Sequence, residues 1–218
     1  MLQGKDLTKS YNGKEVLSNV TLSVSPGEAV ALLGPNGSGK STFLSILSLA
    51  MWPEKGIVTV DGKEGKEAKK QIAYVPQEIV LFEELTVEEN LKCWSSLNGM
   101  ETKKRLEELT TILSMQQFRK KRVDRLSGGQ RRRVNIAVSM MSEPNYILLD
   151  EPFAGVDRET TEDLLRYLAQ EKAAGKGIVI SAHERETVHL LADRVLLLSD
   201  GKQAFSGSAE QFFAMEGV

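Results

Sequence analysis

Between a short apolar run, Ala29 to Leu33, and an amphipathic one that starts at Ser41 lie Gly34, Pro35, Asn36, Gly37, Ser38, Gly39, Lys40, Ser41 and Thr42. The spacing, a glycine, four residues, then Gly-Lys-Ser, suits a polyphosphate when it joins a strand to a helix. Its glycines let the backbone curl so that successive N–H groups and the helix N-terminus face an anion. Lys40 would neutralise the outer phosphates, and the Ser41 hydroxyl would go to Mg²⁺. A second pair of groups follows the apolar run Tyr146 to Leu149, which ends in Asp150 and Glu151. An apolar strand delivers its last residues to the edge where open α/β sheets bind ligands. Asp150 there would hold Mg²⁺ directly or through water, and Glu151 could take a proton from an attacking water.

Placing these groups together requires a sheet, and its strands are legible as short apolar runs bounded by turn residues. They are Val16 to Val24, Ala29 to Leu33, Gly56 to Val60, Gln71 to Val75, Tyr146 to Leu149, Gly177 to Ser181 and Arg194 to Ser199, with a last strand over Gln203 to Phe205. Helical patterns at Ser41 to Ala50, Arg158 to Ala173 and Glu184 to Ala192 separate several of them, and Ala209 to Met215 predicts a short final helix. Such alternation is that of an α/β fold with a mainly parallel sheet. From Thr86 to Met141 the pattern is helical throughout, opened by a capping box at Thr86-Val87-Glu88-Glu89, so a helical insert interrupts the sheet. The charged run Lys63 to Lys70 predicts a solvated loop.

At 218 residues the chain fits one hydrophobic core with a subdomain. Its net charge of -2 provides no basic field for nucleic acid, so no nucleic-acid partner is expected. One cysteine, Cys93, excludes an internal disulfide and a cysteine metal cluster. No signal-like segment and no run of eighteen apolar residues occurs, which predicts a soluble cytoplasmic chain that needs another chain to span a membrane.

Upstream of Asp150 stands Leu126-Ser127-Gly128-Gly129-Gln130-Arg131-Arg132-Arg133, and with it the sequence resembles the ATP-binding cassette (ABC) ATPases, whose signature is Leu-Ser-Gly-Gly-Gln. The other family elements follow in order over essentially the whole chain: Tyr11, the phosphate loop, Gln77, Asp157 and His183. The resemblance implies a P-loop NTPase core with an N-terminal antiparallel β region, over residues 1–76 and 143–218, and an α-helical signature subdomain over 77–142. It implies ATP and Mg²⁺ as cofactors, with Tyr11 stacked on adenine, Gln77 coordinating Mg²⁺ and sensing the γ-phosphate, and His183 bonded to that phosphate. Ser127, Gly128, Gly129 and Gln130 would meet the γ-phosphate of a second copy, a use outside their own chain, while Asp157 would cross the interface of a head-to-tail homodimer or heterodimer. The basic residues Arg131 to Arg133 are expected to solvate or salt-bridge their helix. At the crossing loop Phe153-Ala154-Gly155-Val156-Asp157 departs from the frequent Thr-Ser-Ala-Leu-Asp but keeps the aspartate.

Three functions compete for these motifs. A transporter motor drives a separate transmembrane permease from the cytoplasmic face of the membrane, and the apolar residues in Glu78 to Leu85 suit its docking edge. A soluble ABC ATPase of translation or DNA repair would carry two cassettes or a long coiled-coil insertion, and this chain has neither. A P-loop kinase would leave the signature without a purpose. The motor is therefore the expected function.

Overall fold

The computed structural model describes residues 1–182 and 189–215. Three of its strands, β3 (Ala29–Leu33), β6 (Tyr146–Leu149) and β7 (Gly177–Ser181), are buried over almost their whole length. Apolar on both faces, they belong at the centre of a sheet covered on both sides. With β5 (Ile72–Val75), β8 (Arg194–Ser199) and β9 (Lys202–Ser208) they form a six-stranded sheet in the order β5-β6-β7-β3-β8-β9. The first five strands are parallel, and β9 returns antiparallel from β8. A second, antiparallel sheet has the order β2-β1-β4, from β1 (Leu2–Tyr11), β2 (Lys14–Val24) and β4 (Lys55–Val60). Asn12 and Gly13, at φ 50° and 78°, make the two-residue hairpin that joins β1 to β2.

Strand periodicity divides the packing into two cores. Tyr146 and Leu148 of β6 face one side, where α1 (Lys40–Leu47) buries Phe43, Leu44, Ile46 and Leu47 between the two sheets. Ile147 and Leu149 face the other side, against α3 (Val87–Trp94), α4 (Gly99–Ile112), α5 (Gly128–Met140) and α6 (Arg158–Ala173). The helix after the phosphate loop is thus held under the small sheet, and the helix after the signature lies on the opposite face. A small third cluster seats Phe212 and Phe213 of α7 (Ala209–Met215), with His189 against the Phe213 ring at 4.4 Å.

Three local expectations change. Residues within Lys63 to Lys70 form a short helix, α2 (Gly65–Lys69), because Ala68 packs into the core and brings its charged neighbours with it. The stretch Thr86 to Met141 is several helices, not one continuous pattern: α3 stops at Ser95, Asn98 caps α4 by accepting from Met100 and Glu101 N–H, and Ser114 turns out of α4 at φ 54°. β1 carries no strand pattern in the sequence because bulges around Asp6, at φ 54°, break its period-two alternation.

Candidate active site

The phosphate loop leaves β3 at Gly34, whose φ of 145° is open only to glycine. A Cβ there would sit 2.3 Å from the Leu198 carbonyl oxygen and 2.7 Å from Ser38 Oγ, so the neighbouring strand and the loop both require its absence. Gly39 caps α1 in the left-handed region without a side-chain hydrogen bond, which leaves the first amides of the helix directed at the loop. Lys40 is only 5% exposed, and its Nζ donates to the carbonyls of Gly34 at 2.8 Å and Pro35 at 3.2 Å. Burial pushes this ammonium below the ordinary lysine range, against the opposing pull of Glu151 and Asp150. Two neutral carbonyls compensate a buried cation poorly, and a polyphosphate would do so far better. Ser38 Oγ is likewise buried, with no hydrogen-bond partner among the described residues.

Opposite the loop, the ends of β5, β6 and β7 bring the polar groups together. Ser181 closes the otherwise apolar β7; its hydroxyl donates to Asp150 Oδ1 at 2.7 Å and accepts the Glu151 N–H at 2.8 Å. One buried hydroxyl therefore fixes both acidic residues. Glu151 adopts φ 45°, a left-handed conformation costly for a side chain with a Cβ, and Gln77 Nε2 donates to its Oε2 at 3.0 Å. Between the two walls lies a cleft of about 480 Å³ lined by Val16, Asn36, Gly37, Gly39, Lys40, Ser41, Thr42, Gln77 and Glu151.

The other expected site residues lie apart from this lining or outside the description. Gly34, Pro35 and Ser38 shape the loop from behind, and Asp150 is buried beside Ser181. Tyr11 is 43% exposed and does not line the cleft; its hydroxyl donates to Met51 Sδ, and Lys9 Nζ stands 5.8 Å from its ring centre. His183 lies outside the described residues. Ser127, Gly128, Gly129, Gln130 and Asp157 are gathered elsewhere. A Cβ on Gly129 would stand 2.9 Å from Asp157 Oδ2, so signature and crossing loop touch within one chain.

Two readings of the sequence need correction here. The signature does have a use in its own chain: Ser127 Oγ accepts the Gln130 N–H while Gln130 Oε1 accepts the Ser127 N–H, a capping box that starts α5. Asp157 similarly caps α6 through the Thr160 N–H, a bond that lowers its carboxyl below the usual range. The three arginines are not equivalent surface cations either. Arg131 pairs with Glu83, whereas Arg132 and Arg133 are buried, the second against Asp163 and the Leu113 carbonyl. The sequence offered no signal separating them, because the helical face that each occupies is set by the packing of α5. Ser181 and Val16 also went unread as site residues; a lone hydroxyl ending an apolar strand was the available hint of the first.

A phosphate loop between strand and helix, faced by an acidic pair at the end of a parallel strand two places along the same sheet, defines a P-loop NTPase. Residues 17–154 match the ABC transporter family, and the chain belongs to it. It is 34% identical over 215 residues to the linearmycin resistance ATP-binding protein LnrL of Bacillus subtilis, covering 95% of this chain and 69% of that one. Identity is also 34% over 229 residues to the lipopolysaccharide export system ATP-binding protein LptB of Haemophilus influenzae, covering 100% and 95%. Among solved structures, an ATP-binding subunit of an ABC transporter superposes with TM-score 0.90 at 32% identity, covering 100% of this chain and 93% of that chain. The dimeric cassette MJ0796 in a post-hydrolysis state, bound to ADP and Pi, gives 0.86 at 29% identity, covering 96% and 99%. The chain is an ATP-binding, ATP-hydrolysing motor subunit of the ABC transporter family.

Proposed function

We propose that Glu151 is the general base of ATP hydrolysis in a head-to-tail dimer whose closure drives a separate membrane permease. The observation that carries this reading is the shared cleft: Lys40, Ser41, Gln77 and Glu151 line one space, with Asp150 directly behind it. Lys40 and the N-terminal amides of α1 bind the β- and γ-phosphates, exchanging the Lys40 contacts with Gly34 and Pro35 for charge-assisted ones. Gln77 orients the Glu151 carboxylate, which accepts the proton of the water attacking the γ-phosphate. Ser181 holds Asp150 and the Glu151 backbone in register. His183 completes the contacts to the γ-phosphate, and Tyr11 offers its exposed ring to adenine. Ser41, Gln77 and Asp150 would hold Mg²⁺ through an all-oxygen donor set. When bound, that ion would neutralise phosphate charge.

The partner chain's γ-phosphate is the proposed target of Ser127, Gly128 and Gly129 at the N-terminus of α5, with Asp157 beside them at the interface. Residues 77–142 act as the unit that carries this signature. Their outer edge is the proposed permease site, with the chain held peripherally at the cytoplasmic face of the membrane. Ile79, Val80, Phe82 and Trp94 are all exposed, and Phe82 stacks on Trp94 at 6.3 Å. Beside them Tyr74, Pro76, Val80, Trp94, Asn135, Val138 and Ser139 line an apolar groove of about 200 Å³ that suits a short helix of the permease. No helix among the described residues is long and apolar enough to cross a membrane.

Glu151→Gln tests the chemistry and the dimer together. The amide retains the shape but takes up no proton near neutral pH, and it relieves repulsion toward the phosphates. Light scattering after size exclusion should show doubled mass with ATP and Mg²⁺ but not with ADP, and hydrolysis should cease. Normal turnover would remove Glu151 from the role of base. A monomer in ATP would count against the dimer reading if it persisted when permease-containing membranes were added.

A further inference from the structure

We infer that Arg132 is a positioning residue for hydrolysis, a single guanidinium that sets Gln77 and Glu151 against each other from the helix that carries the signature. Arg132 is 4% exposed. Its Nε donates to the Pro152 carbonyl, one terminal nitrogen to those of Pro76 and Gln77, and the other to those of Asp150 and Glu151, all at 2.6 to 3.0 Å. A guanidinium has five N–H groups, and five carbonyls take them. These acceptors belong to two segments, the exit from β5 and the exit from β6, whose side chains meet in the Gln77–Glu151 hydrogen bond at 3.0 Å.

The same helix grips the β5 exit along its length. Arg131 pairs with Glu83, Asn135 Oδ1 accepts the Val80 N–H, and Ser139 Oγ donates to the Tyr74 carbonyl. Positions 131, 135 and 139 follow helical spacing, so one face of α5 holds this segment. Arg132 alone of these side chains also reaches the β6 exit. Motion of α5, whose first residues are the signature, is thereby transmitted to the backbone of both Gln77 and Glu151. Charge does not do this by itself: burial pulls the guanidinium below its ordinary range against Asp150 and Glu151, so its fit depends on the fork being fully bonded. A lysine keeps the charge and offers only three donors, which cannot span both segments.

This inference rests on Glu151 being the base, and its test separates the two. Steady-state ATP hydrolysis is measured for the full chain, Arg132→Lys, Arg132→Met, Gln77→Ala and the Arg132→Lys/Gln77→Ala double variant, with Glu151→Gln as reference. Arg132→Lys should keep KM and ATP affinity within about twofold and lose roughly ten- to a hundredfold in kcat, the scale of a small misplacement of reacting groups. In the Gln77→Ala background the same change should cost less than about threefold, because the alignment it maintains is already lost. Arg132→Lys carries the test if Arg132→Met does not fold. Wild-type kcat in Arg132→Lys, a fall in ATP affinity matching that in kcat, or costs that simply multiply in the double variant would each overturn the positioning role while leaving the base in place. Full hydrolysis by Glu151→Gln would overturn the base and, with it, the role of Arg132.

Discussion

At Glu151 the backbone itself is part of the site. A φ of 45° on a residue with a Cβ costs on the order of 1 kcal/mol or more; the Ser181 hydroxyl accepts the Glu151 N–H and the Arg132 guanidinium donates to its carbonyl, holding the residue from both sides in that conformation. Such a turn lifts the carboxylate off the strand end toward Gln77 and the phosphate loop. Glycine adopts this φ without strain, so Glu151→Gly should be more stable than Glu151→Ala by about 1 kcal/mol in urea unfolding, although both lack the proposed base. Equal stability would mean that the strain is relieved elsewhere. In the sequence, Asp150 and Glu151 were recognisable as the acidic pair ending an apolar strand. So was the pointing of their side chains to opposite sides of the strand end; the hydroxyl that holds both residues was not, because Ser181 lies on a different strand and reaches them only through the β6–β7 pairing.

In the proposed dimer the signature helix serves two purposes. Ser127 and Gln130 close a capping box in their own chain, while the bare backbone of Gly128 and Gly129 stays available to an anion. Replacing Ser127 by alanine should therefore cost about 1 kcal/mol of stability to chemical denaturation in the isolated monomer, before any effect on assembly. Ser127→Asn should recover most of that stability. A Ser127→Ala monomer as stable as wild type would show that the cap contributes nothing and that serine there serves the dimer alone. A side chain at Gly129 would crowd the Asp157 carboxylate and the Thr160 hydroxyl at the start of α6, displacing the contacts that cap that helix. The phosphate-loop helix α1 differs: with glycine as its N-cap, no side chain caps its first amides, as the proposed phosphate contact requires.

On the scale of the whole molecule, the six-stranded sheet separates two packed layers, with the candidate nucleotide cleft at the strand ends. The small antiparallel sheet clamps α1 from one side, and α5 lies on the other, so the cleft joins two bodies of different packing. The exposed apolar edge at Val80 and Phe82 belongs to the second. Val80→Asp should leave ATP affinity within about twofold, because Val80 is half exposed and does not line the cleft, yet abolish co-purification with the permease. Undiminished co-purification would move the docking surface elsewhere.

The linear order of residues was enough for the phosphate loop, the acidic strand end and the signature, because each is contiguous and its chemistry depends on local backbone geometry. It was also enough for the parallel strands, and the apolar runs of β3, β6 and β7 report burial on both faces. Local pattern was less informative for β1, where bulges break the alternation, and for α2, where a single buried alanine turns a charged run into a helix. Only the tertiary structure decided which of three consecutive arginines is buried among five carbonyls, which serine locks the acidic pair, and which valine lines the cleft. Those assignments depend on contacts between segments far apart in the chain. A guanidinium finds its five acceptors only after β5, β6 and α5 have packed, and no spacing within α5 encodes that meeting.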